Sequence, residues 1–252
     1  MIELVDFRIF VLIWIGIALV IFPIALFITA PYGRHSKNTW GPLINNRIGW
    51  VVMELPALLV FIWFNFQSQK IFTTVLIVAI SLWLIHYTNR SLIFPFRIKS
   101  KNKKMPVVIM VFAIIFNSVN GFINGYYLAY FSDYSEAWIY NPRFIIGLLI
   151  FLFGFFINQY HDRILIKLRK DSSGGYQIPK GGLFKYISCP NFFGEIIEWA
   201  GFAILLWNLP ALAFFIWTII NLVPRALDHH KWYNNRFNNY PTKRKAIIPY
   251  VL

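Results

Sequence analysis

Residues 48–66 read IGWVVMELPALLVFIWFNF, and that stretch decides the fold. A bilayer core takes roughly 20 apolar residues per crossing helix, and this run holds a single ionisable group, Glu54. Outward along the chain, further apolar runs occur at residues 7–28, 71–89, 106–128, 142–160, 191–207 and 210–224. The last two are short and separated by Asn208 and Leu209 alone, so they are expected to form a tight helical hairpin. Glu3 and Asp6 stand where a secretory signal carries basic residues, so the run 7–28 is expected to stay as the first crossing helix.

Composition agrees with this pattern. Of the 252 residues, 58% are hydrophobic and 13% charged, whereas soluble domains carry about a quarter charged residues. The expectation is an all-α integral membrane protein of seven transmembrane helices, built as one domain over residues 1–252. The formal net charge is +14. Because the basic residues fall in short loops between apolar runs, their expected partners are anionic lipid headgroups and an anionic cofactor, not nucleic acid. Of the 24 lysines and arginines, all but Arg8, Lys70 and Arg143 lie in the loops 29–47, 90–105 and 161–190 or in the C-terminal tail. The positive-inside rule then places the N-terminus outside and the C-terminus in the cytoplasm, which an odd number of crossings satisfies. The single cysteine, Cys189, excludes an intramolecular disulfide framework and a cysteine-rich zinc site. Residues 172–175 form the one flexible-looking run, inside a cytoplasmic loop.

Polar groups at membrane depth are costly and each needs a reason. Glu54 lies about 9 Å into its helix, six residues past Ile48 at ~1.5 Å per residue. Tyr87, three residues before Arg90, falls at the same end of the next run, so the two can face each other in the inner leaflet. A structural Glu–Tyr bond, or a Glu54 paired with Arg47 or Arg90, is the alternative. Three further groups recur at helical spacing near cytoplasmic ends: Asn158, Asp162 and Arg169; Asn191, Glu195 and Glu198; and Arg225, His229 and Tyr233. Together they supply amides, acids and cations suited to a ligand with phosphates, a ribose and a carboxamide. Asn117, Asn120 and Asn124, beside Gly121 and Gly125, are read as a close helix–helix contact with amide glue in preference to a cavity wall.

Several chemistries are absent from the sequence. It has no paired-histidine metal motif, no Gly-x-Ser-x-Gly, no Walker loop and no Gly-x-Gly-x-x-Gly, so a dinucleotide would be held without a Rossmann fold and no metal is expected.

The segments Pro31-Tyr32-Gly33-Arg34-His35, Glu54-Leu55-Pro56, His86-Tyr87-Thr88-Asn89-Arg90 and Asn120-Gly121-Phe122-Ile123-Asn124-Gly125 continue the pattern. So do Gly175-Tyr176-Gln177-Ile178-Pro179, Ser188-Cys189-Pro190-Asn191-Phe192-Phe193-Gly194-Glu195, His229-His230, Trp232-Tyr233, Tyr240-Pro241 and Arg244-Lys245-Ala246. Through these ordered segments the chain resembles the steroid 5α-reductase family over nearly its whole length. The resemblance implies seven transmembrane helices, NADPH as hydride donor and a 3-oxo-4-ene steroid as acceptor. It also implies that Glu54 and Tyr87 contact the steroid 3-ketone. Tyr32, Arg90, Phe94, Asn158, Asp162, Arg169, Tyr176, Asn191, Glu195, Arg225, His229, Tyr233 and Arg244 match cofactor-contact positions, with Phe94 in place of the usual Tyr. Met53 replaces a Gln found in many relatives, which bears on substrate preference.

Arg34, Lys37 and Arg97 are the basic residues available for a 2′-phosphate. The steroid is expected from the lipid phase and NADPH from the cytoplasm, in a bacterial inner membrane or, in a eukaryote, the endoplasmic reticulum, with no obligate protein partner. The competing readings are a trans-2-enoyl-CoA reductase on the same scaffold, an isoprenylcysteine-type methyltransferase and a non-enzymatic lipid-binding protein.

Overall fold

The computed structural model describes residues 2–29, 33–35, 40–98, 103–171 and 175–252. Among them lie seven helices: α1 Leu4–Phe27, α2 Asn46–Phe66, α3 Thr74–Arg97, α4 Val107–Phe131, α5 Pro142–Asp171, α6 Pro190–Leu206 and α7 Leu209–Arg236. Six of these are long and apolar enough to cross a membrane, whereas α6, with 17 residues, is shorter than the rest. The exposed faces are apolar: in α1 alone Leu12, Leu19, Val20 and Phe27 are all more than half exposed, an outer surface suited to lipid and not to water.

The sequence places several helix ends too early. The third run continues beyond residue 89 through a wide π-type turn at Asn89–Ile93, so Arg90 and Phe94 are helical and not loop residues. The fourth run likewise ends in a π-type turn, Tyr127–Phe131. The fifth continues from 160 to Asp171, and the seventh passes Pro224 to reach Arg236. Hydrophobicity stops at the expected ends, but helical hydrogen bonding does not, because one face stays buried: Ser91 beyond 89, Asp162 and Ile166 beyond 160, Ala226 and Tyr233 beyond 224. A proline removes one helical donor. Leu222 and Ala226, packed with Cys189, Phe192 and Ile247, carry the helix past it. The expected short final span is therefore a helix of 28 residues. Two features among the described residues lie outside the all-helical reading: a three-residue antiparallel ladder of β1 (Leu43–Asn45) with β2 (Lys104–Pro106), and an isolated parallel bridge of Ile187 with Lys245.

Two compact units divide the chain. The first comprises Met1–Ile13, Ala30–Ile145 and Asn208–Ala211. In it α2 and α4 run parallel, since residues 53, 57 and 61 meet 117, 121 and 125 in order. Asn117 Nδ2 donates to the Met53 carbonyl at 2.5 Å. A Cβ added at Gly121 would lie 3.2 Å from the Ala57 oxygen, and one at Gly125 3.0 Å from the Phe61 oxygen. The small residues thus let the backbones approach, as expected of this pattern. The β1–β2 ladder immediately precedes both helices and ties their starts together, with the Val107 amide donating to Pro42 O at 2.8 Å and the Asn46 amide to Lys103 O at 3.0 Å. Asn45 caps α2 by accepting from the Arg47 amide at 2.9 Å. Asn208 caps α7 in the same way, its Oδ1 accepting from the Ala211 amide at 2.9 Å.

The second unit comprises Trp14–Thr29, Ile146–Trp207 and Leu212–Leu252. Here α5 and α6 are antiparallel and touch at two reciprocal glycine pairs. A Cβ at Gly154 would sit 2.6 Å from Gly194 O, and one at Gly201 2.6 Å from Gly147 O. Trp199, Phe151, Phe202 and Phe214 fill the space beside this contact, with the Trp199 and Phe214 rings 4.4 Å apart. Trp207 ends α6 in a left-handed conformation, φ 49°.

Forcing a methyl into the α5–α6 contact should strain a packed core by about 1–3 kcal/mol. Gly154→Ala is therefore expected to lower the thermal midpoint of the detergent-solubilised protein, while Gly175→Ala, which meets open space, leaves it in place. Equal midpoints for the two variants would show that the helices separate freely.

Candidate functional site

In the first unit, a hydrogen bond between α2 and α3 sets the level of the expected catalytic pair. The Trp83 indole donates to the Ala57 carbonyl at 3.0 Å, and its ring stacks on Phe61 at 4.7 Å and 10°. Glu54 lies one turn from Ala57 and Tyr87 one turn from Trp83, in the same direction along the antiparallel pair, so both fall at one height. Glu54 is half-buried, and its Oε2 accepts from Asn117 Nδ2 at 3.3 Å. That same amide holds the Met53 carbonyl, so α4 fixes the backbone beside the carboxyl as well as the carboxyl itself. Tyr87 is 3% exposed, its ring packed 4.9 Å from Trp83 and 5.0 Å from His86.

One turn further, the π-type turn widens α3 at Arg90, a distortion frequent at functional sites. Ser91 Oγ donates to the Tyr87 carbonyl at 2.6 Å there. The Arg90 guanidinium lies 5.3 Å from the Trp50 ring and 5.1 Å from the Phe94 ring, so Arg90 and Phe94 come together as expected. Trp50 completes that group, and the sequence reading did not assign it a part. Arg97 is in the last turn of α3. Tyr32 and Lys37 lie outside the described residues, as does the side chain of Arg34.

In the second unit, the acids and amides expected from helical spacing form one hydrogen-bonded set across α5 and α6. Asn158 Nδ2 donates to the Asn191 carbonyl at 3.0 Å and to Glu195 Oε2 at 3.2 Å. Asn191 Nδ2 donates to Asp162 Oδ1 at 3.0 Å. Asn158 and Asp162 are buried, and Asn191 and Glu195 half-buried. Glu198, fully buried, lies one turn along α6 against Gly154.

The cations of this unit rest on aromatic faces. Arg225 lies 5.3 Å from the Phe192 ring, whose other neighbour is His229 at 5.6 Å. Arg169 lies 5.8 Å from Tyr176, and Tyr176 packs 4.9 Å from Trp232. Tyr233 meets Trp232 at 5.3 Å and stacks flat on Tyr240 at 5.2 Å. Arg244 closes the series 5.1 Å from the Tyr240 ring. The guanidinium of Arg244 is 6% exposed and donates Nη2 to the Pro179 carbonyl at 3.0 Å, while its Nε and Nη1 are buried without a hydrogen-bond partner. Buried donors left unmatched are expensive. Their presence beside further arginines and amides fits an anionic ligand able to accept two parallel hydrogen bonds, such as a phosphate-bearing dinucleotide. The ring partners Phe192 and Trp232 were missed in the sequence, although each adjoins an expected residue.

A model of 3-oxo-5-alpha-steroid 4-dehydrogenase matches residues 103–252. The chain is 40% identical over 233 residues to Steroid 5-alpha-reductase DET2 of Arabidopsis thaliana, covering 89% of this chain and 88% of that protein. It is 43% identical over 235 residues to the protein of the same name in Solanum lycopersicum, with 91% of each chain covered. It is 38% identical over 225 residues to 3-oxo-5-alpha-steroid 4-dehydrogenase 1 of Rattus norvegicus, covering 88% of this chain and 86% of that one.

The unmatched donors of Arg244 make a direct test. Adenosine 2′,5′-bisphosphate should raise the thermal midpoint of the wild-type protein, and Arg244→Met should lose most of that gain, a shift of about 1.5–3 kcal/mol for a bond to a charged group. Undiminished protection in the variant would remove Arg244 from the ligand site.

Proposed function

This chain belongs to the steroid 5α-reductase (3-oxo-5α-steroid 4-dehydrogenase) family, and we propose that it saturates the 4,5 double bond of 3-oxo-4-ene steroids with NADPH as the reductant. It is an oxidoreductase acting on a carbon–carbon double bond. The observation that carries the reading is Glu54, an acid inside an apolar helix, held by Asn117 at the height of Tyr87.

The chemistry assigns each residue its part. Reduction of an enone puts hydride on C5 and a proton on C4, and negative charge collects on the 3-oxygen in between. Hydrogen-bond donors fixed in advance toward that oxygen, away from water, lower the barrier most effectively. Tyr87 donates its phenolic proton, and a protonated Glu54 donates a second. Asn117 orients the Glu54 carboxyl, and the packing of Tyr87 on Trp83 and His86 limits its rotation. The C4 proton comes from water.

NADPH, when bound, supplies the hydride. Arg169, Arg225 and Arg244 neutralise its phosphates. Asn158, Asp162, Asn191 and Glu195 offer the mixed donors and acceptors a carboxamide and ribose need, and Tyr176, His229 and Tyr233 add ring faces and further donors. Arg90, Phe94 and Tyr32 are assigned to the cofactor by resemblance alone.

The chain crosses the membrane seven times with the N-terminus outside and the C-terminus in the cytoplasm. The parallel α2 and α4 support that alternation, and the distribution of lysine and arginine supports the orientation. At ~1.5 Å per residue, α6 spans about 26 Å, a little under a core of roughly 30 Å. Steroid enters from the lipid and NADPH from the cytoplasm, in a bacterial inner membrane or, in a eukaryote, the endoplasmic reticulum, with membrane lipids as the other partners and no obligate protein partner.

Detergent-purified protein should oxidise NADPH in a steroid-dependent manner with progesterone or testosterone and release the 5α-dihydro product. Glu54→Leu should lower kcat by about 10²- to 10³-fold, the usual cost of one such donor, while Glu54→Gln, which keeps shape and a donor, retains part of the rate. Turnover of an enoyl-CoA with none of any 4-ene-3-one would overturn the substrate.

A further inference from the structure

Ser188, His230 and Tyr240 belong to segments that mark the family resemblance, yet none has a part in the chemistry above. The three side chains are joined. Ser188 Oγ lies 2.7 Å from His230 Nδ1 and 2.6 Å from Tyr240 Oη. Ser188 is 3% exposed and Tyr240 5% exposed, so water does not compete for these bonds. Burial pushes the Tyr240 phenol up from its ordinary range, against the pull of Ser188 and Arg244, which keeps the phenol protonated and able to donate. One arrangement satisfies every group: Tyr240 donates to Ser188, and Ser188 donates to the neutral His230 at Nδ1.

Each member sits on a different piece of chain. His230 is on α7, Tyr240 is in the tail, and Ser188 lies two residues before α6 begins. Backbone bonds brace the same junction. The Ser188 amide donates to Lys245 O at 2.9 Å, the Lys245 amide to Tyr186 O at 2.9 Å and the Cys189 amide to Ala246 O at 3.0 Å. These bonds fix the backbones, and the hydroxyl bond to Ser188 adds the side-chain tie that sets the position of the Tyr240 ring. Tyr240 is the ring on which Tyr233 stacks at 4° and over which Arg244 lies.

We propose that Ser188, His230 and Tyr240 are positioning residues that set the affinity for NADPH by locking the ring that holds Tyr233 and Arg244. The inference rests on the cofactor reading given above. The three residues act through Tyr233 and Arg244, with no contact of their own to the reacting atoms. Losing the relay loosens the Tyr240 ring, and the cost falls on cofactor binding and not on the carbonyl donors of the first unit.

The test is NADPH binding to detergent-purified protein without steroid, measured by calorimetry, beside steady-state kinetics with progesterone. Tyr240→Phe keeps the ring and removes the hydroxyl. Its Kd for NADPH is expected to rise about fivefold, the worth of one ordinary hydrogen bond. Ser188→Ala should do the same, and the double variant should be no weaker than Ser188→Ala alone, because both break one relay. Ser188→Thr, which keeps a hydroxyl, should bind within about twofold of wild type. The KM for progesterone should not move with the Kd for NADPH, whereas general loosening of the fold would shift both. An unchanged Kd in Tyr240→Phe overturns the proposal, as does strict additivity in the double variant. A wild-type protein that binds no NADPH would instead overturn the cofactor reading itself, and the inference with it.

Discussion

The backbone contact of α5 with α6 is the constraint on which the polar set in the second unit depends. At Gly147 with Gly201 and at Gly154 with Gly194, no side chain separates the two helices. Lipid offers no hydrophobic reward for bringing apolar helices together, so close packing and interhelical hydrogen bonds must supply the attraction. The glycines provide the first and lead into the second. Immediately beyond the Gly154–Gly194 pair, Asn158 reaches the Asn191 carbonyl and Glu195, and Asn191 reaches Asp162. These are short side chains, and a pair of helices at ordinary spacing would leave them out of reach of one another. Four polar groups that would each be costly at membrane depth are instead joined to one another, although Asp162 Oδ2 is buried without a hydrogen-bond partner. The polar network and the glycine contact are one device seen at two levels.

A contrast within the helices shows which polar residues define geometry. Asn65, Asn120, Asn124, Ser132 and Thr218 each donate to the carbonyl four residues earlier in their own helix. Such bonds satisfy one donor of the side chain locally and can form in an isolated helix, although the Asn65 Oδ1 stays buried without a partner. Asn117 behaves differently, since its amide crosses to α2 and meets both the Met53 carbonyl and Glu54. Asn117 is thus an asparagine of α4 that locates the candidate acid. The parallel packing of Gly121 on Ala57 and Gly125 on Phe61 holds α4 at the distance this requires.

Much of this was legible in the sequence, for identifiable reasons. Apolar runs locate all seven helices, six of them long and apolar enough to cross a membrane, where each helix must pair its own backbone groups. The spacing of Asn158 with Asp162 and of Asn191 with Glu195 places each pair on one helix face, and the structure brings the two pairs together. The tight contact of α4 through Gly121 and Gly125 also follows from spacing. Helix ends did not follow, because hydropathy reports where lipid contact stops and says nothing of burial by protein. That is why Pro224 and Asn89 read as ends. Gly147, Gly154, Gly194 and Gly201 were overlooked, although each pair is seven apart and lies on one helix face, a visible signal. The junction of Ser188, His230 and Tyr240 draws on three distant segments, and no local spacing encodes it.

The arginines complete the picture of how charge is kept ready in an apolar protein. Arg90, Arg169, Arg225 and Arg244 each lie over an aromatic ring, between 5.1 and 5.8 Å from its centroid. A guanidinium set against a ring face gains electrostatic attraction there without cancelling its charge. Its N–H donors lie in its own plane, the geometry that planar oxygen groups demand. Aromatic support fixes the position of each of these cations, and in Arg244 the Nε and Nη1 donors are buried without a hydrogen-bond partner. Since unmatched buried donors destabilise the free protein, the ligand that satisfies them gains by that same amount. In the second unit this links the aromatic richness of the tail to binding: Tyr240 and its neighbours serve as the platform that makes an otherwise costly cation useful.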